Sequence, residues 1–276
     1  MACGIGGNNL LVDYHLHLER GPLTRAWLEE FLEQGRRRGV AEFGFSEHAY
    51  RFRQAGHLLD SPWGRQRCVA DLEEYLGLLS AARAAGLPVR VGVEMDYLPE
   101  REEAIRAFLK SYRWDFVLGS VHWLGDWGVD LADMREEHRR RGADRAWREY
   151  FGMLGRAAGS RLFDVLAHPD LIKIFGDAPA ADPAPLWDEA VAQIAAAGCA
   201  VEVSSAGLRR PVGEIYPAAG FLERCRRSLI PVTMASDAHM PQEVGQDLDR
   251  VVLLLRQVGY REVLRFRERV GVSTPL

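Results

Sequence analysis

Short apolar runs, separated by longer amphipathic stretches, set the rhythm of the chain. Leu10-Leu11-Val12, Val40 to Phe45, Val89 to Val93, Phe116 to Ser120, Phe163 to Leu166, Cys199 to Val203 and Pro231 to Ala235 each have the length of a buried strand. Between them, apolar residues recur at helical spacing. Trp27, Leu28, Phe31 and Leu32 follow Thr24, a helix-capping residue, and Gly39 ends that segment. Leu72, Tyr75, Leu76 and Leu79 predict a second helix closing at Gly86-Leu87-Pro88, and others are predicted over about 101–109, through Trp147 to Leu154, over 186–197 and around 218–226. Final helices are expected from about Val251 and from Glu262. The segment from Arg51 through His57, Ser61-Pro62 and Gly64 reads as a polar loop, and 125–142 as a charged insertion whose His138 is expected to be solvated.

Strand then helix, seven times over, predicts parallel strands joined by right-handed crossovers, and so a seven-stranded (β/α) barrel. In such a barrel every strand's C-terminal end faces one side, where the active site lies. Seen this way, the strand exits share a composition. The first run ends in Asp13-Tyr14-His15-Leu16-His17-Leu18-Glu19, and in an extended chain His15, His17 and Glu19 point the same way. The last ends in Ser236-Asp237-Ala238-His239, again two ligand-type residues two apart. His48, Glu94, His122 and His168 stand at four further exits. One such histidine is commonly a hydrogen-bonded structural group. Six of the eight histidines placed this way, with Glu94 and Asp237, predict a divalent-metal site.

Composition narrows the setting. The 276 residues suit one large domain; a flexible tail is expected at 1–9 and a single barrel domain over 10–276. Asp and Glu number 39 against 35 Lys and Arg, so no basic excess points to nucleic acid or an anionic membrane. Cys3, Cys68, Cys199 and Cys225 form no C-x-x-C pair, and no run approaches the ~20 apolar residues of a membrane span. A cytoplasmic setting is the expectation. The Gly-rich opening Cys3 to Gly7 follows no strand and opens no helix, so it is not read as a phosphate loop.

The motifs follow a known order. His15 with His17, Ser46-Glu47-His48, Gly92-Val93-Glu94, Gly119-Ser120-Val121-His122, Ala167-His168-Pro169 and Ser236-Asp237-Ala238-His239 together resemble the polymerase and histidinol phosphatase (PHP) family over nearly the whole chain. Ala206-Gly207-Leu208-Arg209-Arg210-Pro211, followed by Glu214 to Pro217, resembles its histidinol-phosphatase branch. The resemblance implies a distorted seven-stranded barrel with two or three divalent transition metals, from Zn, Mn and Fe. It implies a first metal on His15, His17, Glu94 and Asp237, and a second on Glu94, His122 and His168. A third would take His48, His239 and a ligand from the loop after His17. The family's commoner pattern has a further histidine in that loop; none stands here, and Glu19 is the expected substitute.

The implied activity is a phosphoric monoester hydrolase cleaving L-histidinol phosphate in histidine biosynthesis, with Glu94, Asp237 and His239 at the reacting centre. Clustered divalent ions acidify a bridging water and neutralise phosphate oxygens. Arg209 and Arg210 are expected to grip the phosphate, with Lys173 and the Arg51/Arg53 loop as further cations. One competing reading is a phosphoesterase acting on another small ester, a nucleotide or a nucleic-acid end, since one fold and metal cluster hosts many substrates. A nucleic-acid accessory module and a structural metal protein are the others. The first lacks a basic stripe, and the second does not explain an arginine-rich strand exit. Metal identity, the leaving-group acid and the oligomeric state are not set by the sequence.

Overall fold

All seven apolar runs form strands: β1 (Leu11–Leu16), β2 (Val40–Phe45), β3 (Val89–Asp96), β4 (Phe116–Ser120), β5 (Val165–Leu166), β6 (Ala200–Ser204) and β7 (Val232–Ala235). The computed structural model describes residues 11–276, so the expected tail at 1–9 and Leu10 lie outside the described residues. The strands pair in chain order and all in parallel. The sheet curls until β7 meets β1 at a single bridge, Leu16 to Ala238. There the His17 amide donates to the Ala238 carbonyl at 2.9 Å, and the Ala238 amide to that of His15 at 3.2 Å. Asp13 reinforces the seam from below. Its carboxylate accepts from the Ser236 amide (2.8 Å), the Ser236 hydroxyl (2.5 Å) and the Gly245 amide (3.0 Å).

Outside the barrel run α1 (Arg25–Arg37), α2 (Leu72–Ala84), α3 (Glu102–Ser111), α4 (Ala143–Gly159), α5 (Ala184–Ala197), α6 (Ala219–Arg227) and α7 (Leu248–Val258). Their boundaries have local causes. The Thr24 hydroxyl caps α1 by accepting from the Trp27 amide, and Leu28, Phe31 and Leu32 are the face it buries. Gly198 ends α5 in the left-handed conformation. None of the helices among the described residues is long and apolar enough to cross a membrane.

Three expectations are corrected. The stretch expected as a polar loop is helical over Pro62–Arg67, capped by the Ser61 hydroxyl, which accepts from the Gly64 amide at 3.0 Å. Glu262 starts no helix: Glu262–Arg267 is a strand paired antiparallel with Val270–Pro275. Glu268 and Arg269 make its turn, both with positive φ. The Arg and Glu residues favour a helix locally, but the β-branched Val270, Val272 and Thr274 and the burial of Val263 and Phe266 decide for a hairpin. His138 is not solvated either. It is 4% exposed, its Nε2 is 2.7 Å from the Val129 carbonyl, and its ring meets Trp127 edge-on at 4.6 Å. The charged insertion folds back over a small hairpin, Trp123–Leu124 with Trp127–Gly128, and Trp127 with Phe175 (edge-on at 5.2 Å) encloses the imidazole.

The C-terminal hairpin seals the floor of the barrel. Inside it, Tyr14 and Phe116 meet edge-on at 4.9 Å, and Phe266 closes against both at 5.6 and 6.2 Å. The space for this exists because Gly92 has no side chain; a Cβ there would overlap the Phe116 ring. One buried carboxylate ties the floor together. Glu42 accepts from the Tyr14 hydroxyl, from Arg90 (2.6 Å) and from Arg265 (3.0 Å), while the Phe266 amide donates to Tyr14 at 2.8 Å. Burial pushes the Glu42 carboxyl up, but Arg265, Tyr14 and Arg90 together hold it below its ordinary 4.5.

That shift has a definite sign. A carboxyl depressed on folding stabilises the protein fully above its unfolded value and stops doing so as pH falls through the lower folded one. Glu42→Gln should therefore lose roughly 1–3 kcal/mol of unfolding free energy at neutral pH, from buried donors left without a charged acceptor. The gap to the wild type should narrow as denaturation curves are taken below pH 4.5. A gap of equal size at both ends of that range would show that Glu42 is not ionised by this cluster.

Candidate metal centre

The C-terminal mouth of the barrel collects the predicted residues around one carboxylate. Glu94, at 1% exposed, lies near the end of β3, and five imidazoles from four other strand exits surround it. Its Oε2 is 2.7 Å from His48 Nδ1, 3.3 Å from His15 Nε2 and 3.6 Å from His17 Nε2. Its Oε1 is 3.1 Å from His168 Nε2, 3.4 Å from His122 Nε2, and accepts from the Ser120 hydroxyl. Asp237 stands on the far side of the paired histidines, 3.4 Å from His17 Nε2 and 3.7 Å from His15 Nε2, with His239 at 3.6 Å.

Strand periodicity places these groups. On β3, Gly92 faces the Phe116 ring in the barrel interior, so Glu94 and Asp96, two and four residues on, face the same interior nearer the mouth. On β1 the alternation is broken deliberately. The pairing register with β2 slips between Asp13 and Leu16, a bulge-like irregularity. It lets Tyr14 pack into the floor while the adjacent His15 still reaches Glu94. His168 and Asp237 have φ of 26° and 51°, a left-handed backbone that non-glycine residues rarely adopt.

A second circle of carboxylates orients the imidazoles. Glu202 Oε2 lies 2.7 Å from His15 Nδ1, and its other oxygen accepts from the His168 amide at 3.1 Å. Asp96 lies 2.8 Å from His122 Nδ1, and Glu47 3.5 Å from His17 Nδ1. Glu202 belongs to no sequence motif. Its only signal in the sequence is a charge in the apolar strand Cys199 to Val203, at a position facing the barrel interior.

The donor set suits divalent cations. His15 Nε2, both ring nitrogens of His17 and Glu94 Oε2 are buried and make no hydrogen bond among the described residues, an arrangement that a cation would resolve. Three groups hold ligand atoms within 4.8 Å of one another: His15, Glu94 and His168; His15, His17 and Asp237; and His17, His48 and His239. Electrostatics agree. Burial pushes Glu94 up, yet His15, His48 and His122 hold it well below the carboxylate range. Burial pushes His17 and His122 down, but the carboxylates around them lift them to about 9 and about 10. Without cations, protons balance this cluster of carboxylates. Nitrogen and oxygen donors of this kind accept Zn, Mn or Fe.

Not every predicted residue falls in the cluster. His17 joins His48 and His239, with ring centroids at 4.2 and 4.3 Å, where Glu19 was expected as the third ligand. Glu19 instead lies 3.6 Å from His239 Nε2 and pairs with Arg51 at 3.2 Å. Arg210 lines the cavity above the cluster with Glu19, His48, His122 and His239. Arg209 anchors one arm on the carbonyls of Ser236 (2.5 Å) and Asp237 (3.4 Å), while its buried Nη1 makes no hydrogen bond. Lys173 lines no part of that cavity. Its ammonium is saturated by Asp170 (2.9 Å), Glu214 (3.1 Å) and the Ile215 carbonyl (2.9 Å).

Comparison with known proteins places this geometry. The PHP domain family matches residues 13–206. A Deinococcus radiodurans protein named "Probable histidinol-phosphatase" is 34% identical over 263 residues, covering 94% of this chain and 97% of that one. The histidinol-phosphatase of Bacillus subtilis is 25% identical over 255 residues, covering 84% and 95%. Among solved structures, the fold is similar to histidinol phosphate phosphatase from Lactococcus lactis complexed with zinc, L-histidinol and phosphate. The TM-score there is 0.76, at 20% identity over 95% of this chain and 98% of that one.

Because Glu202 fixes two ligand-type residues at once, it should matter without touching a metal. Glu202→Gln should weaken zinc binding about ten- to a hundredfold in a chelator competition, as loss of an orienting carboxylate does elsewhere. Wild-type affinity in that variant would mean that packing alone orients His15.

Proposed function

The chain belongs to the PHP domain family, and from that membership we infer that it is a histidinol-phosphatase, hydrolysing L-histidinol phosphate to L-histidinol and phosphate. The observation carrying this reading is 34% identity, along nearly the full length of both chains, to a protein of that name. A buried imidazole–carboxylate cluster at the mouth of the barrel agrees with it. The reaction breaks the bond from phosphorus to the ester oxygen, forms one to a water oxygen, and returns a proton to the departing alcohol.

The proposed ligand sets are His15, His17, Glu94 and Asp237; Glu94, His122 and His168; and His48, His239 and Glu19, for two or three ions of Zn, Mn or Fe. Bound divalent ions would supply Lewis acidity for the phosphate oxygens and lower the pKa of a water. The chain's own groups do the rest. Glu94 belongs to two sets and fixes their spacing. Asp237, kept ionised against burial by His15 and His17, is the proposed carboxylate beside the reacting water. His239 lies 3.6 Å from Asp237 and completes the proposed reacting centre.

Arg209, with one arm anchored and Nη1 unpartnered, and Arg210, exposed at the cavity wall, are the proposed phosphate grip. Lys173 is left out of it, since its three donors are already spent. We place the reaction in the cytoplasm and assign residues 10–276 to one functional unit.

Phosphate release from a panel of phosphomonoesters tests the activity. Histidinol phosphate should give a kcat/KM well above that of aryl phosphates, and excess chelator should abolish turnover until Zn, Mn or Fe is restored. Equal specificity constants across the panel, or full turnover in chelator, would overturn the reading. Glu19→Ala addresses the third set by elemental analysis, where loss of about one metal equivalent is expected. A full complement in that variant would show that His17, already grouped with His48 and His239, completes the set without Glu19.

A further inference from the structure

The cavity above the cluster, about 430 Å³, has a wall that the metal chemistry does not use. It comes from the loops after β2 and β4. Tyr50 stacks on His48 at 4.7 Å, Trp63 meets Tyr50 edge-on at 4.9 Å, and Trp123 meets Trp63 edge-on at 5.0 Å. Beside this aromatic row stands Asp130. The hairpin Trp123–Leu124/Trp127–Gly128 turns the chain back on itself, and the Val129 amide donates to the His122 carbonyl at 2.8 Å. The next residue, Asp130, is thereby delivered to the mouth beside His122, half-buried in the cavity lining.

Of the two carboxylates lining this cavity, Glu19 and Asp130, only Asp130 is without a hydrogen bond or ion pair, although its charge acts on His122. Glu19 is engaged by Arg51 and His239. Asp130 accepts no hydrogen bond and forms no ion pair among the described residues, although the cavity is rich in arginine. Those arginines are occupied or elsewhere on the rim. Arg51 holds Glu19, Arg67 lies 4.0 Å over the Trp63 ring, and Arg20 and Arg210 belong to the loops after β1 and β6. A carboxylate without an ion pair, in a half-enclosed cavity that Tyr50, Trp63 and Trp123 also line, is a site for an organic cation. Histidinol phosphate carries one, the protonated primary amine beside its esterified alcohol.

We propose that Asp130 is a specificity-determining residue that receives the substrate's ammonium group, with the Trp63 and Trp123 rings walling the rest of the alcohol. This deepens the histidinol-phosphatase reading and rests on it. The division of labour is chemical: the metal cluster and Arg209/Arg210 take the dianionic end, as any phosphomonoester requires. Asp130 takes the cationic end, which simple phosphate esters lack.

The test compares two substrates, L-histidinol phosphate and its des-amino counterpart, 3-(imidazol-4-yl)propyl phosphate, on the wild type and on Asp130→Asn. The wild type should favour the amine about ten- to a hundredfold in kcat/KM, the range of one charge-assisted contact. In Asp130→Asn that preference should collapse toward one, with the loss falling mainly on KM. A wild-type preference near one, or a preference that survives in Asp130→Asn, overturns the proposal while leaving a phosphatase in place. An equal fall on both substrates also overturns it, since Asp130 would then act through His122 or the loop. Failure of the wild type to hydrolyse either ester overturns the proposal together with the reading beneath it. Asp130 is half-exposed, so folding of the variant is checked by its thermal midpoint and metal content.

Discussion

A carboxylate buried among imidazoles governs this molecule. Taking Glu94 out of water costs several kcal/mol unless opposite charge compensates it. Among the described residues no lysine or arginine serves the purpose, only five imidazoles from four other strand exits, which are neutral at ordinary pH unless perturbed. Such a group is stable only with protons or metal ions around it. The barrel provides the means of convergence, because parallel strands joined by helices bring all their C-terminal ends to one face whatever their separation in sequence. Glu202, Asp96 and Glu47 then stand behind the histidines and fix where each ring points, which makes the cluster a site of defined shape.

That precision depends on a floor. Below the cluster the interior is filled by Tyr14, Phe116 and Phe266, with Glu42 tying Tyr14 to arginines of β3 and of the C-terminal hairpin. The hairpin contributes no ligand-type residue to the site. It closes the opposite end of the barrel, and through Phe266 and Tyr14 it supports the strand that carries His15 and His17. Catalytic face and sealed face are thus two layers of one interior, separated by roughly two residues of strand rise, or about 6–7 Å.

The strand exits were legible because their signal is local: an apolar run followed by ligand-type residues at a spacing of two. All seven barrel strands, and the meeting of the exit histidines with Glu94 and Asp237, follow from that pattern. What escaped it depends on tertiary context. His138 looks solvated in a charged stretch, but its helix folds onto Trp127, a contact that no window of sequence displays. The segment from Glu262 holds helix-favouring Arg and Glu residues, and its strand form is decided by where Val263 and Phe266 find a core. Lys173 looks like a free cation near a phosphate site until Asp170 and Glu214 are seen to enclose it. Asp130 carries no motif at all, and only the return of the hairpin to His122 gives it a place.

Backbone strain links closure of the barrel to its chemistry. His168 and Asp237 both hold left-handed conformations, at a cost on the order of 1–3 kcal/mol each. Such conformations persist only where the surroundings over-determine them, and here the restraints can be named. Asp237 lies between Ser236, whose amide and hydroxyl are both held by Asp13, and Ala238, which exchanges backbone hydrogen bonds with His15 and His17. These are the bonds that join β7 to β1. The amide of His168 is held by the same Glu202 that orients His15. The seam that makes the sheet a barrel is therefore also the clamp that aims Asp237 at the paired histidines. A barrel opened between β1 and β7 would release that strain and scatter the ligands together, so folding and assembly of the site are one event.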